Sequence, residues 1–168
     1  VTINIGQFRH FVLVPTLEAL GLHSIAAEQL LMGTAMQESG FKHLRQLPHN
    51  DGRRGPALGF FQMEPRTHDD IWKNWLQYRQ PLAERVEKFM VNGDSPDSAE
   101  TLHNLPYATI MARLLYRRIP AALPGSGDVS GLAAYWKQHY NTPLGAGTVE
   151  QFETSYAQML GIEHRTRA

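Results

Sequence analysis

Two polar side chains stand where chemistry would be wanted. Glu38 ends an apolar helical run, and Gln62 closes the turn Gly59-Phe60-Phe61-Gln62. Between them lies a loop rich in Gly, Pro and charge, all within AMQESGFKHLRQLPHNDGRRGPALGFFQMEPRT, from Ala35 to Thr67. A carboxylate held at the end of a buried helix, facing a loop able to hold a long polar ligand, suits general acid–base work on a sugar polymer.

The place of Glu38 on its helix carries that reading. The residues three, four and seven positions before it are Ala35, Thr34 and Leu31, so the carboxylate lies on or beside the apolar face. Partial burial disfavours the anion, and the carbonyl end of the helix adds partial negative charge beside it. Both favour an acid that keeps its proton near neutral pH, as a general acid must. The bland reading, a solvated Glu at a frayed helix end, is the commoner fate of this residue type. In the turn, Phe60 and Phe61 suit a floor beneath a sugar ring, Gln62 a hydrogen-bonding edge, and Gly59 a close backbone approach. Its bland reading is a buried turn into a helix.

The elements that must position these groups read as helices. Phe8, Phe11, Val12, Val14, Leu17 and Leu20 fall mostly at helical spacing, with Pro15 predicting a kink or split and Gly21 a stop. Ser24 caps a second helix that runs through Leu30, Leu31 and Ala35 to Glu38 before Gly40 ends it. The segment from Pro48 to Pro56 reads as a loop or short hairpin. Pro65 opens an amphipathic helix through Asp69, Asp70, Ile71, Trp72 and Leu76. Further helices are expected over Pro81 to Met90, Leu102 to Arg118, Ser130 to His139 and Val149 to Leu160. The polar connection from Asn92 to Asp97 is expected to be flexible, and the tail EHRTRA to fray. With no alternating strands and no repeat, the expectation is one mainly α-helical domain over residues 1–168, with room for one small hairpin in the Gly-rich loop.

Composition removes several function classes. The chain has 168 residues, and Lys plus Arg equals Asp plus Glu at 16 each, so no overall field draws it to nucleic acid or an anionic membrane. It has no cysteine, which excludes a disulfide framework, thiolate zinc sites and a cysteine nucleophile. No apolar run approaches the length of a membrane span, so no insertion is expected. The run VTINIGQFRHFVLVPTLEAL lacks a charged start, a long apolar centre and a small-residue cleavage site, so it is not expected to act as a signal peptide. The eight histidines, His43, His49 and His68 among them, match no ligand spacing such as HExxH, so neither a metal nor another cofactor is expected. Trp72 and Trp75 suit one anchored helix face better than a glycan platform.

Glu38-Ser39, followed by Gly59-Phe60-Phe61-Gln62 and then Pro65 and Thr67, resembles the Glu-Ser and Gly-Leu-Met-Gln signatures of soluble lytic transglycosylases. These belong to the lysozyme-like superfamily, with goose-type lysozymes as close relatives. The resemblance covers Ser24 to Thr67 well and the later segments loosely. It implies a lysozyme-like helical fold, Glu38 as the single catalytic acid/base, and a glycan groove touched by Ser39, Phe61 and Gln62. A later Ala-Tyr-Asn motif closes the site in that family. Here Leu132-Ala133-Ala134-Tyr135 fits its run, but Trp136 replaces the Asn and Tyr140-Asn141 follows five residues on, so either Tyr135 or the Tyr140-Asn141 pair takes the place, with Tyr135 favoured.

The resemblance implies peptidoglycan glycan strands as partner and a 1,6-anhydro product. A hydrolase of the goose-lysozyme kind would more often need a second carboxylate, for which Glu64, Asp51, Asp69 and Asp70 are the nearest in sequence. Arg53 and Arg54 are candidates for the carboxylates of peptide stems, though a solvated loop tip is the plainer role. Similarity to phage-borne wall-degrading enzymes implies virion proteins as further partners, and a non-catalytic glycan-binding module of the virion is the remaining rival.

Overall fold

A computed structural model describes residues 3–48, 52–91, 93, 95–142 and 145–167, with side chains through residue 163. His49, Asp51, Asn92 and Asp94 lie outside the described residues, as do the side chains of the tail beyond Glu163.

The chain is mainly helical. The first helical stretch comprises α1 (Ile5–Phe8), a π turn (Arg9–Leu13) and α2 (Val14–Leu20). The irregularity expected at Pro15 therefore sits just upstream of it, as a wider turn, with Pro15 in the first turn of α2, where a missing N–H costs little. Gly21, at φ 68°, ends α2.

The second helix, α3 (Ile25–Ser39), starts where Ser24 Oγ accepts from the Ala27 N–H at 3.1 Å and stops at Gly40, φ 58°. Residues 30–35 are all buried, so α3 is enclosed on every face and forms the spine of the molecule. Its other end carries Glu38.

Then come α4 (Pro65–Asn74), a 3-10 turn (Leu76–Tyr78), α5 (Gln80–Glu87), a second 3-10 turn (Ser98–Leu102) and α6 (Leu105–Arg117). The chain finishes with α7 (Val129–Trp136), a π turn (Lys137–Asn141) and α8 (Val149–Arg167). Asn104 takes the cap of α6, so the helix expected from Leu102 to Arg118 starts at Leu105, with Leu102 ending the 3-10 turn before it. The tail expected to fray continues α8 as far as Arg167. Among the described residues there is no sheet; the Gly-rich loop holds isolated antiparallel bridges, Arg45 with Leu58, Pro48 with Arg54 and Leu58 with Met63, in place of a hairpin.

Among the described residues, two apolar clusters build the core. One gathers Phe8, Leu31, Phe41, Trp136 and Phe152 around α3, α7 and α8; the other gathers Ile71, Leu76, Val86 and Ile110 between α4, α5 and α6. Helix α6 serves both, with Ala108, Ala112 and Tyr116 facing the first and Ile110, Met111 and Leu114 the second. Trp72 and Trp75 pack in or against the second cluster, as one anchored face should. Among the described residues, no helix is long and apolar enough to cross a membrane.

Candidate active site

The end of α3 is bent sharply by two successive left-handed residues, Gly40 at φ 58° and Phe41 at φ 55°. Ser39 organises that bend: its Oγ donates to the Ala35 carbonyl at 3.0 Å and accepts from the Phe41 N–H at 3.2 Å. The Phe41 ring then meets Phe8 and Phe60 at centroid distances of 5.2 and 5.6 Å, which fastens both ends of the Gly-rich loop to the core. Ser39 is thus a buried structural residue and does not line the cleft assigned to it by resemblance.

The loop returns as a closed turn. Leu58 and Met63 exchange backbone bonds of 2.9 and 3.0 Å, and Gly59 N–H donates to the Leu44 carbonyl at 2.8 Å. Only glycine fits at position 59: its φ is 72°, and a Cβ there would lie 2.3 Å from the Thr101 carbonyl oxygen. Phe60 and Phe61 are buried, 7% and 2% exposed, so the aromatic floor expected beneath a ligand is instead part of the core. Two adjacent large apolar rings in a tight turn gain more by burial than by facing a polar cleft. Phe61 contributes through its backbone, its carbonyl accepting from Tyr140 Oη at 2.6 Å. Gln62 does face the cleft, held at φ 47° with its amide donating to the Gly59 carbonyl at 2.7 Å.

The opposite wall comes from the π turn after α7. Trp136 is fully buried, and its indole N–H donates to Glu38 Oε1 at 3.0 Å. Tyr140, Asn141 and Thr142 line the cleft beyond it. Lys137 Nζ donates to Asn141 Oδ1 at 2.8 Å and to the Gly145 carbonyl at 2.7 Å, clamping this segment. Thr142 sits at φ 66°, ψ 157°, a backbone region almost reserved for glycine and found where surrounding structure holds strain in place. Tyr135 points elsewhere: its hydroxyl donates to the Ala121 carbonyl at 2.9 Å and its ring packs on Tyr116 and His139. The geometry therefore brings Tyr140 and Asn141, and not the favoured Tyr135, to Glu38. Both rings pack on Tyr116, at 5.8 and 5.4 Å between centroids, but their hydroxyls part: that of Tyr135 goes to Ala121 and that of Tyr140 to the cleft at Phe61.

The resulting cleft encloses about 680 Å³, within the range of small-ligand sites. Glu38 sits in it partly buried, and loss of hydration raises its carboxyl from 4.5 to about 7, against the opposing pull of the Trp136 N–H. Desolvation is thus the cause foreseen from the sequence. Tyr116 and Tyr140 are pushed well above the ordinary phenol value, by burial first and by the Glu38 charge in addition, so both stay neutral donors.

Of the other carboxylates, Glu64 lines the same cleft, paired with Arg66 at 2.7 Å. Asp69 and Asp70 do not line it: Asp69 meets His68 Nδ1 at 3.0 Å, and Asp70 binds Arg118 and Asn74, which hold its carboxyl below the ordinary range. His68 is buried between Asp69 and the Tyr107 hydroxyl, a packing role. Arg53 and Arg54 are exposed and do not line the cleft, whereas Arg66 does. Among the described residues, no group of three or more His, Asp and Glu gathers to hold a metal.

Sequence reasoning missed Trp136, Arg66 and Thr142. A buried indole needs an acceptor, so Trp136 carried a usable signal; the other two carried none. No family model matches the chain, and no curated protein or solved structure matches it either.

Proposed function

We propose that the protein is a lytic transglycosylase of lysozyme-like fold, cleaving the β-1,4 bond between N-acetylmuramic acid and N-acetylglucosamine in peptidoglycan. The observation that carries this reading is the largely desolvated carboxyl of Glu38, held by the Trp136 indole N–H at 3.0 Å in a cleft that Gln62, Tyr140 and Asn141 also line. Glu38 gives its proton to the glycosidic oxygen as the bond to the muramyl C1 breaks. The substrate's own acetamido group, or the groove, stabilises the charge left at C1. Glu38, now a carboxylate, takes the proton of the muramyl 6-hydroxyl while that oxygen closes on C1, giving the 1,6-anhydro sugar and regenerating the acid. Water takes no part, so one carboxylate is enough. Gln62, Tyr140 and Asn141 border the sugar, and delivery by a phage particle, with virion proteins as neighbours, follows by analogy alone.

Glu64 supports a second reading, hydrolysis of the same bond with two carboxylates. Digestion of purified sacculi with the wild-type protein, Glu38→Gln and Glu64→Gln, with product ends identified by mass spectrometry, separates the possibilities. Anhydro ends that vanish with Glu38→Gln and persist with Glu64→Gln support the transglycosylase. Reducing ends without anhydro sugar, lost in both variants, support the hydrolase. No cleavage by wild type sinks both.

A further inference from the structure

We infer that Trp136 is a positioning residue that divides the two oxygens of Glu38 into fixed roles, Oε1 as a permanent acceptor and Oε2 as the oxygen that carries the transferable proton. The inference deepens the glycosidase reading and rests on it for the meaning of the proton.

The indole N–H is a donor with no acceptor capacity, and at 3.0 Å it claims Oε1. In the neutral acid the carbonyl oxygen is the better acceptor, so the proton is driven to Oε2, and the carboxyl cannot exchange its ends without breaking that bond. The ring itself has nowhere to go. It is fully buried, packs against Phe152 at 5.4 Å between centroids, and is pressed by the loop at Gly147, where a Cβ would come 2.6 Å from the indole. Phe152 also seats against α3, since a Cβ on Gly33 would lie 2.4 Å from its ring. One aromatic side chain from α8 therefore sets both the helix that carries the acid and the ring that orients it.

The same bond favours the anion over the neutral acid, because a donor to a carboxylate is stronger than a donor to a carbonyl. Trp136 thus holds Glu38 at an acidity from which it can both give and retake a proton. Other ionisable groups surround it: Tyr116 from α6 and Tyr140 from the π turn interact with Glu38, and Glu64 and Arg66, paired with each other at the start of α4, line the same cleft. The Gly-rich loop contributes the uncharged Gln46. Both phenols remain protonated, so they stay neutral as Glu38 titrates.

The test is a pH titration of the wild-type indole N–H resonances by NMR, with the Trp136 signal identified by its loss in Trp136→Phe. That resonance should move through a single step centred near pH 7, and the step should disappear in Glu38→Gln. A Trp136 resonance indifferent to pH between 5 and 9 overturns the inference. On sacculi, Trp136→Phe should lower kcat about tenfold and shift the alkaline limb of the kcat profile to higher pH, with KM little changed. A kcat profile that keeps its shape in a folded variant also overturns it. If the wild type cleaves no glycan, the proposed reaction falls, and the indole titration alone decides the orientation of Glu38.

Discussion

Helix α3 carries two carboxylates that have been withdrawn from water in opposite ways. Near its start, Glu28 is 3% exposed and is met by two potential cations, the Arg9 guanidinium on one oxygen and His23 Nε2 at 3.1 Å on the other. Near its end, Glu38 is met by one neutral donor, the Trp136 indole. The first arrangement compensates a buried charge and ties α3 to the amino-terminal helix. The second leaves the charge uncompensated, so the group is held as a weak acid. The residue type and helix are shared; the partner decides which carboxylate is structural and which is available for chemistry.

The largest expected effect exchanges the two sites. Glu38→Gln should reduce glycan cleavage by roughly 10³-fold, the scale of a lost general acid, whereas Glu28→Gln should leave kcat within a few-fold in the protein that remains folded. Equal losses in both would break the contrast. A second difference lies in the direction of pH dependence. Because the folded-state value of Glu38 is raised from 4.5 to about 7, the unfolded chain gives up its proton first. Its contribution to stability is therefore complete below about pH 4.5 and is lost as the pH rises to about 7, by on the order of 3 kcal/mol. Denaturant unfolding at pH 4.5 and pH 8 should show wild type losing more stability than Glu38→Gln over that interval; parallel behaviour would remove the uncompensated charge from the account. The smallest effect sharpens the comparison: Arg9→Met takes one cation from Glu28 and should cost about 2 kcal/mol at neutral pH by denaturant unfolding. An equal cost for Arg9→Met measured in the Glu28→Gln background would mean that Arg9 acts by packing alone.

Much of this was legible in the chain because it is local. Ser24 and Gly40 bracket α3 by short-range backbone chemistry, and Glu38 falls on a buried face through helical spacing alone. Pro65 opens α4 for the same kind of reason. What was not legible depends on contacts between distant segments. The Trp136–Glu38 bond spans 98 residues, and the Tyr140–Phe61 bond spans 79. No periodicity encodes either. The preference for Tyr135 rests on the run Leu132-Ala133-Ala134-Tyr135, whereas the helix expected to reach His139 widens into a π turn from Lys137 to Asn141, a local feature with weak sequence signal, and it is Tyr140 that lines the cleft. Phe60 and Phe61 were judged by what aromatics can do for a sugar, when their size made the core the stronger claimant.

That widened turn gives this wall of the cleft the character of a register device. A π turn holds one residue more than the helix around it would, so excising a single residue between Lys137 and Asn141 would let the backbone relax to ordinary winding. The chain on either side would keep its bearings, because the widening is what absorbs the surplus residue. The side chains inside the turn would be re-aimed, moving the Tyr140 hydroxyl relative to the Phe61 carbonyl while α3 and Glu38 stayed put. A length change of one amino acid is thus enough to re-aim this wall of the cleft while leaving Glu38 untouched.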